Sequence, residues 1–229
     1  MQPHRYLFGM SHVHAVRRAL TEAEAAAFTV VDLNTPRLMD DPDALEALVS
    51  RPEAAHTEAL LFSIGGNYHN QIGLISHPQP YTLDPAGEGR FIPESLMIRM
   101  MEVEHGRFLL MAELIAALFP GVPRVVIAAP PPVGDHDHIR RNPGIFRAKL
   151  AQGIAPDALR LHLHALQVAE QRRHATWLGA AFLPPPAGAV DGRGLLAHAF
   201  MNADPTHGNP AYGRLVLDQI DALLAQVAA

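Results

Sequence analysis

The amino-acid sequence predicts an α/β fold in which a parallel sheet carries helices on both faces. Short, near-continuous apolar runs rich in β-branched residues alternate with longer segments of helical period. Runs of that kind belong to strands buried on both faces, which is the situation inside a parallel sheet. Glycine or proline closes most of them: Gly9, Gly65-Gly66, Pro130-Pro131-Pro132 and Pro184-Pro185-Pro186. The chain has 229 residues, 48% of them hydrophobic, which is enough for the full core of one domain spanning 1–229.

In chain order, Arg5–Gly9 reads as the first strand, and Ser11 to Ala26 as a helix through Val13, Val16, Leu20 and Ala23. Phe28–Leu33, with Thr29, Val30 and Val31, is the second strand. A short helix over Asp43–Val49 leads to the third strand, Ala59–Ile64. Arg124–Ala129 is the fourth strand, Pro156–His174 a helix, and Thr176–Leu183 the fifth strand. Two connections, Tyr68–Pro123 and Pro130–Pro156, are too long for simple crossovers. Met97, Met100, Met101 and Met111, with Phe108 and Leu109, suit a core helix inside the first. At the C-terminus, Asn209 has the character of an N-cap and Pro210 that of a first helical residue. Tyr212, Leu215, Val216, Ile220, Leu223, Leu224 and Val227 then give that helix one apolar face.

Composition excludes several classes of function. Eighteen basic against 23 acidic residues leave a net charge of −5, with no basic block for a nucleic-acid groove. Seventeen of the 18 basic residues are Arg, Lys149 being the exception, and this reads as compositional bias. The absence of Cys removes disulfides, thiolate metal sites and cysteine nucleophiles. No apolar run approaches the ~20 residues of a membrane span. Tyr6-Leu7-Phe8 is too early and too short for a signal h-region, so a cytoplasmic location is expected.

The chemistry gathers at strand ends, where ligands bind in open parallel sheets. Ser11 lies two residues past the first strand, at the start of the first helix, with free backbone N–H groups near its hydroxyl. Asn67 follows the third strand, where its side-chain amide is able to donate to an oxyanion. Before the last helix, Asp204-Pro205-Thr206-His207 sets a carboxylate and an imidazole three residues apart on a turn stiffened by proline. An Asp that orients a His is two-thirds of a nucleophilic triad, and Ser11 supplies the rest. Taken singly, each motif also has a structural reading: Gly-x-Ser and Gly-x-Asn as turns, Asp-Pro-Thr-His as a helix entry. Their order and placement at successive strand ends favour the catalytic reading.

Those residues make the chain resemble the SGNH hydrolases, the superfamily that includes the GDSL esterases and lipases. Gly9-Met10-Ser11 matches the nucleophile context, with His12 where many members have Leu. Gly65-Gly66-Asn67 matches the Gly-x-Asn after the third strand, with Tyr68 in place of a common Asp. Asp204-Pro205-Thr206-His207 matches the C-terminal Asp-x-x-His. The resemblance implies a flavodoxin-like three-layer α/β/α sandwich around five parallel strands. It also implies Ser11, Asp204 and His207 as catalytic residues, and the Ser11 N–H and Asn67 as oxyanion hole. A glycine usual after the second strand is missing from Leu33–Asp40; a backbone N–H needs no glycine, so Arg37, Leu38 or Met39 can still supply that donor. There is no Gly-x-Ser-x-Gly elbow, which argues against an α/β-hydrolase fold.

The expected function is hydrolysis of short-chain or acetyl esters of a small molecule or carbohydrate. It proceeds through an acyl-enzyme and calls for no cofactor or metal. An acyltransferase acting on a sugar or alcohol, or a non-catalytic binding module, are the alternatives; no nucleic-acid or membrane partner is expected, and the sequence does not fix an oligomeric state. The remaining histidines read as background. Asp135-His136-Asp137-His138 is expected to be a solvated loop rather than a metal site, because adjacent side chains rarely face one ion. His162 and His164, two apart in a helix, are expected on different faces. The Tyr68–Ile92 segment is expected to form one wall of the site.

Overall fold

The computed structural model describes residues 3–34, 43–44, 47 and 50–227. Five strands form the main sheet: β1 (His4–Gly9), β2 (Phe28–Asp32), β3 (Thr57–Ser63), β4 (Arg124–Ile127) and β5 (Ala181–Leu183). They lie in the order β2-β1-β3-β4-β5, and every pairing is parallel. The sheet has its helices on both sides, as the apolar runs predict, giving a three-layer α/β/α sandwich. Gly9 is in register with Asp32 on one side and Ser63 on the other, so β1, β2 and β3 end level. The turns that follow them therefore open on one edge.

Alternate side chains of each strand feed the two layers. Leu7, Leu61 and Val125 point to the side of α1 (Val13–Ala19) and of α7 (Pro210–Val227). Tyr6, Phe8, Leu60, Phe62 and Val126 pack with Phe108, Ala112 and Ile115 of α4 (Glu94–Leu118). Such burial stabilises by roughly 1.5–3 kcal/mol per large side chain. The α4 helix buries Met97, Met101 and Phe108, half-buries Leu109 and Met111, and leaves Met100 exposed. On α7, Tyr212, Val216, Ile220 and Leu224 are buried as the periodicity predicts. Gly213 brings α7 against α1: a Cβ there would lie 2.1 Å from the Ala15 carbonyl oxygen.

Several boundaries differ from those read in the sequence. The predicted helix from Ser11 to Ala26 is two helices, α1 and α2 (Glu22–Ala25). Thr21 breaks it, accepting from the Glu24 N–H while Glu24 accepts from the Thr21 N–H, a capping box that restarts the helix. Ser11 itself sits in the turn ahead of α1 rather than in its first turn. The fifth strand begins at Ala181, not Thr176. Residues 176 and 177 complete α6 (Asp157–Trp177), and Gly179, at φ 60°, is the left-handed residue that ends it. The fourth strand stops at Ile127, two residues early. Most of the short helix expected at Asp43–Val49 lies outside the described residues, as does the segment containing Arg37, Leu38 and Met39. Between β3 and β4 lie α3 (Tyr68–Gly73), α4, and a two-stranded parallel pair, Tyr81–Thr82 with Arg90–Phe91. Among the described residues, no helix is long and apolar enough to cross a membrane.

Candidate active site

The residues Ser11, His207 and Asp204 meet at the edge where β1, β2 and β3 end. Ser11 Oγ lies 2.7 Å from His207 Nε2, and His207 Nδ1 lies 2.9 Å from Asp204 Oδ1. The carboxylate can only accept, so Nδ1 carries the proton and Nε2 is free to accept from the serine hydroxyl. This is the nucleophile–base–orienting acid geometry of acyl-transfer enzymes.

Local folding explains how the Asp and His are held. Asp204 Oδ1 accepts from the backbone N–H of Thr206 at 2.9 Å and of His207 at 2.8 Å, so the turn is an Asx-type structure. The helix-entry reading of Asp-Pro-Thr-His and the catalytic reading are thus compatible. Asp204 Oδ2 accepts from the Asn202 side-chain amide at 2.5 Å. The backbone closes the turn from both sides, with Asn202 N–H bonded to the His207 carbonyl and Asn209 N–H to that of Phe200. Asn209 then caps α7, its side chain accepting from the Tyr212 N–H at 3.1 Å. Burial alone would raise the Asp204 carboxyl. The His207 ring, the Thr206 N–H and the Asn202 amide outweigh it and hold the group well below the usual carboxylate range.

The loop that ends in Asn67 is built from the helix behind it. Gly65 and Gly66 both take left-handed backbone conformations (φ 85° and 50°), which a glycine adopts without strain. A side chain at Gly65 would also strike the His105 ring, 2.6 Å from the place of its Cβ. Two buried glutamines of α6 clamp the loop. Gln167 Nε2 donates to the Gly66 carbonyl at 2.7 Å, and its Oε1 accepts from the His69 N–H at 2.8 Å. Gln171 Nε2 donates to the Ile64 carbonyl at 2.6 Å, and its Oε1 accepts from the Ala129 N–H at 3.0 Å. Asn67 precedes α3 without capping it, since its side chain makes no cap hydrogen bond. It lines, with Ser11, His207 and Asn34, a pocket of about 320 Å³. The same Ser11, Asp204 and His207 border a second depression of about 510 Å³ on their other side, with Arg17 and Arg18 at its rim. Asn34 lines the first pocket, and its backbone N–H is bonded to Asp32 Oδ1.

Other histidines fall into structural places, some of them close to the site. His12 is buried with its ring centroid 4.9 Å from that of His207. Burial, and then the adjacent His207, push its imidazole down to about 3, so it is neutral. His69 is neutral because burial, and then the adjacent His164, push it well below the usual imidazole range; its Nδ1 is bonded to Gln167 Oε1. The 135–138 segment is not a loop. Asp135 accepts from the His138 N–H and caps the short helix α5 (His136–Arg141). His138 Nε2 then reaches the Asn202 and Asp204 carbonyls, at 2.8 and 3.2 Å, and braces the Asp204–His207 turn. Among the described residues, no three His, Cys, Asp or Glu side chains are grouped to hold a metal ion. His162, paired with Glu94, and His164, bonded to the Ala129 carbonyl, do face different ways. Sequence reasoning missed Gln167, Gln171 and His138. No local signal marks them: the two glutamines resemble solvent-facing helix residues, and the partners of His138 lie far off in the chain.

No family model matches the sequence, and no curated protein matches it. Solved structures do. The chain is similar to a candidate platelet activating factor protein from Streptococcus pneumonia, with TM-score 0.56 and 13% identity over 98% of this chain and 85% of that one. A GDSL-like lipase from Bacteroides thetaiotaomicron aligns with TM-score 0.51 and 12% identity, over 97% of this chain and 87% of its own. A candidate acylhydrolase from Bacteroides fragilis aligns with TM-score 0.53 and 13% identity, over 100% and 92%. At such identities the shared property is the fold. The sheet order and these likenesses agree: the chain shares the α/β/α fold of these solved structures, the fold that the resemblance to SGNH hydrolases implies.

Proposed function

We propose that the protein is a serine esterase that cleaves acyl esters of a small molecule or carbohydrate through an acyl-enzyme, its whole activity residing in one domain of residues 1–229. The observation that carries this reading is the hydrogen-bonded line Ser11 Oγ–His207 Nε2–Asp204 Oδ1 at the mouth of a pocket that Asn67 lines. His207 removes the hydroxyl proton as Ser11 Oγ attacks the ester carbonyl, and Asp204 stabilises the imidazolium. The Ser11 N–H and the Asn67 amide donate to the oxyanion, each worth about 3 kcal/mol of barrier where such donors have been removed in other enzymes. His207 then protonates the departing alkoxide and activates the water that releases the acid.

Two depressions meeting at Ser11 leave room for an acyl group on one side and an alcohol on the other. The same arrangement serves transfer to an alcohol, the second reading, which is separated by whether an added alcohol acceptor outcompetes water for the acyl group. A fluorophosphonate probe tests the common step. It is expected to label Ser11 and nothing else in the wild type, and to leave Ser11→Ala unlabelled. The Ser11→Ala variant should also lose at least ~1,000-fold in short-ester hydrolysis with an unchanged fold. Comparable hydrolysis by that variant refutes the proposal.

A further inference from the structure

A third cavity adjoins the Ser11 pocket, and its lining has a definite chemistry. It measures about 420 Å³ and is walled by Ile75, Ile92, Met97 and Met100, with Phe146 at one end. Gln71 and Phe146 line both this cavity and the Ser11–Asn67 pocket, so the two adjoin at that pair. The wall comes from the segment after Asn67, from the first turns of α4 and from the stretch around Phe146. The volume is within the range of pockets that hold small molecules, roughly 300–1,000 Å³.

Charge gives the second half of the chemistry. Arg90 and Lys149, the one lysine of the chain, stand on the lining, and no Asp or Glu does. Among the described residues, no ion pair is formed by either cation. Apolar walls with two unpaired cations complement a molecule that is apolar along its body and anionic at one point.

We infer that this cavity is a substrate subsite for the non-reacting part of the ester, an aliphatic or aryl body carrying a phosphate or carboxylate that Arg90 and Lys149 hold. The inference rests on Ser11 being the reacting group. The transferred acyl group stays short, in the depression that Arg17 and Arg18 border, while the amphiphilic remainder runs through the Asn67 pocket past Gln71 and Phe146. Met97 and Met100 suit such a wall, because the thioether chain adapts to irregular apolar shapes. The two cations fix polarity, so the body enters in one direction.

Calorimetric titration of the wild-type protein with octyl phosphate, octyl glucoside and inorganic phosphate, each below its micellar concentration, tests it. Octyl phosphate is expected to bind at least about tenfold more tightly than either partial mimic, by a margin that shrinks with added salt. Arg90→Ala combined with Lys149→Ala should remove that margin and leave octyl glucoside binding unchanged. Leu96→Trp, at an exposed position on the lining, should weaken both octyl compounds by filling the space. Equal binding of octyl phosphate and octyl glucoside, or no effect of the double substitution, overturns the subsite. Octyl phosphate should also raise the KM of ester hydrolysis with kcat unchanged. Turnover indifferent to bound octyl phosphate overturns the link to Ser11. Selective binding by a protein inert toward esters upholds the cavity's ligand and refutes the esterase reading instead.

Discussion

Replacement of Gln167 by Met is the most informative single perturbation of the site, because it leaves volume nearly unchanged and deletes only hydrogen bonds. Gln167 is fully buried and satisfies the Gly66 carbonyl and the His69 N–H, both inside the protein. Methionine leaves these two backbone groups and the His69 Nδ1 atom without that partner. Each orphaned buried group costs about 1–3 kcal/mol, so the three together should make the variant less stable by roughly 3 kcal/mol or more. For a chain of this size that is a fall in Tm of about 6 °C or more. The freed peptide joins Gly66 to Asn67, so the Asn67 amide is no longer fixed, and a shift of 1 Å in such a group can cost about 100-fold in rate. The expected kinetic signature is a loss in kcat with KM little changed. Gln171→Met is the control. It orphans the Ile64 carbonyl and the Ala129 N–H, which gives a similar stability loss from bonds that do not touch the Gly66–Asn67 peptide. Urea unfolding and steady-state kinetics on both variants decide the matter. A Gln167→Met protein within ~1 kcal/mol of wild type, or one whose kcat matches that of Gln171→Met, would refute the reasoning.

Two other outcomes are expected. Asn67→Ala should lower kcat and kcat/KM together by about 100-fold or more with little change in Tm, and a variant that keeps kcat but melts several degrees lower would make Asn67 a turn residue only. Acid should destabilise the fold through its buried histidines. Burial, with His174 alongside, pushes His105 down to about 4, and burial with His207 pushes His12 to about 3. Their unfolded values lie near 6.5, so below that pH the unfolded chain binds protons that the native one refuses. Stability is therefore full above pH ~6.5 and falls toward the native values, by about 2 kcal/mol per residue at pH 5. Urea midpoints at pH 7 and pH 5 measure this, and a His105→Gln variant should show the smaller drop; an equal drop in both proteins contradicts it.

The parts of the fold legible in the sequence are those that one physical signal controls. Val125, Val126 and Ile127 can be read as a doubly buried strand because nothing else buries such a run, and Gly65-Gly66 as a turn because both residues take φ above zero. The N-cap Asn209 was readable for the same reason: its bond to Tyr212 is local. Boundaries set by competition between local signals were not. The Thr21 capping box overrode a continuous helical period, and Gly179 rather than the apolar composition of residues 176–183 decided where β5 begins. For the site, Ser11, Asn67, Asp204 and His207 were named from their places at strand ends, and the structure draws Ser11, His207 and Asp204 into hydrogen-bond contact while Asn67 lines the adjoining pocket. The supports behind them were invisible. Gln167 and Gln171 look like solvent-facing helix residues in one dimension, and only the approach of α6 to the Gly66 loop turns them inward. His138 was hidden likewise, since its partners are backbone carbonyls 64 and 66 residues away.

The close approach of α7 to α1 at Gly213 also has a temporal meaning. Ser11 and His207 stand 196 residues apart, each just ahead of one of these two helices. At ribosomal rates of ~5–20 residues per second, roughly 10–40 s separate the synthesis of the two. Throughout that interval Ser11 is without His207. The imidazole arrives only when the last helix seats itself on the first, through a contact that a single added methyl group at residue 213 would obstruct. If Ser11 is the nucleophile, as proposed, its activation waits until α7 has been made and has seated on α1.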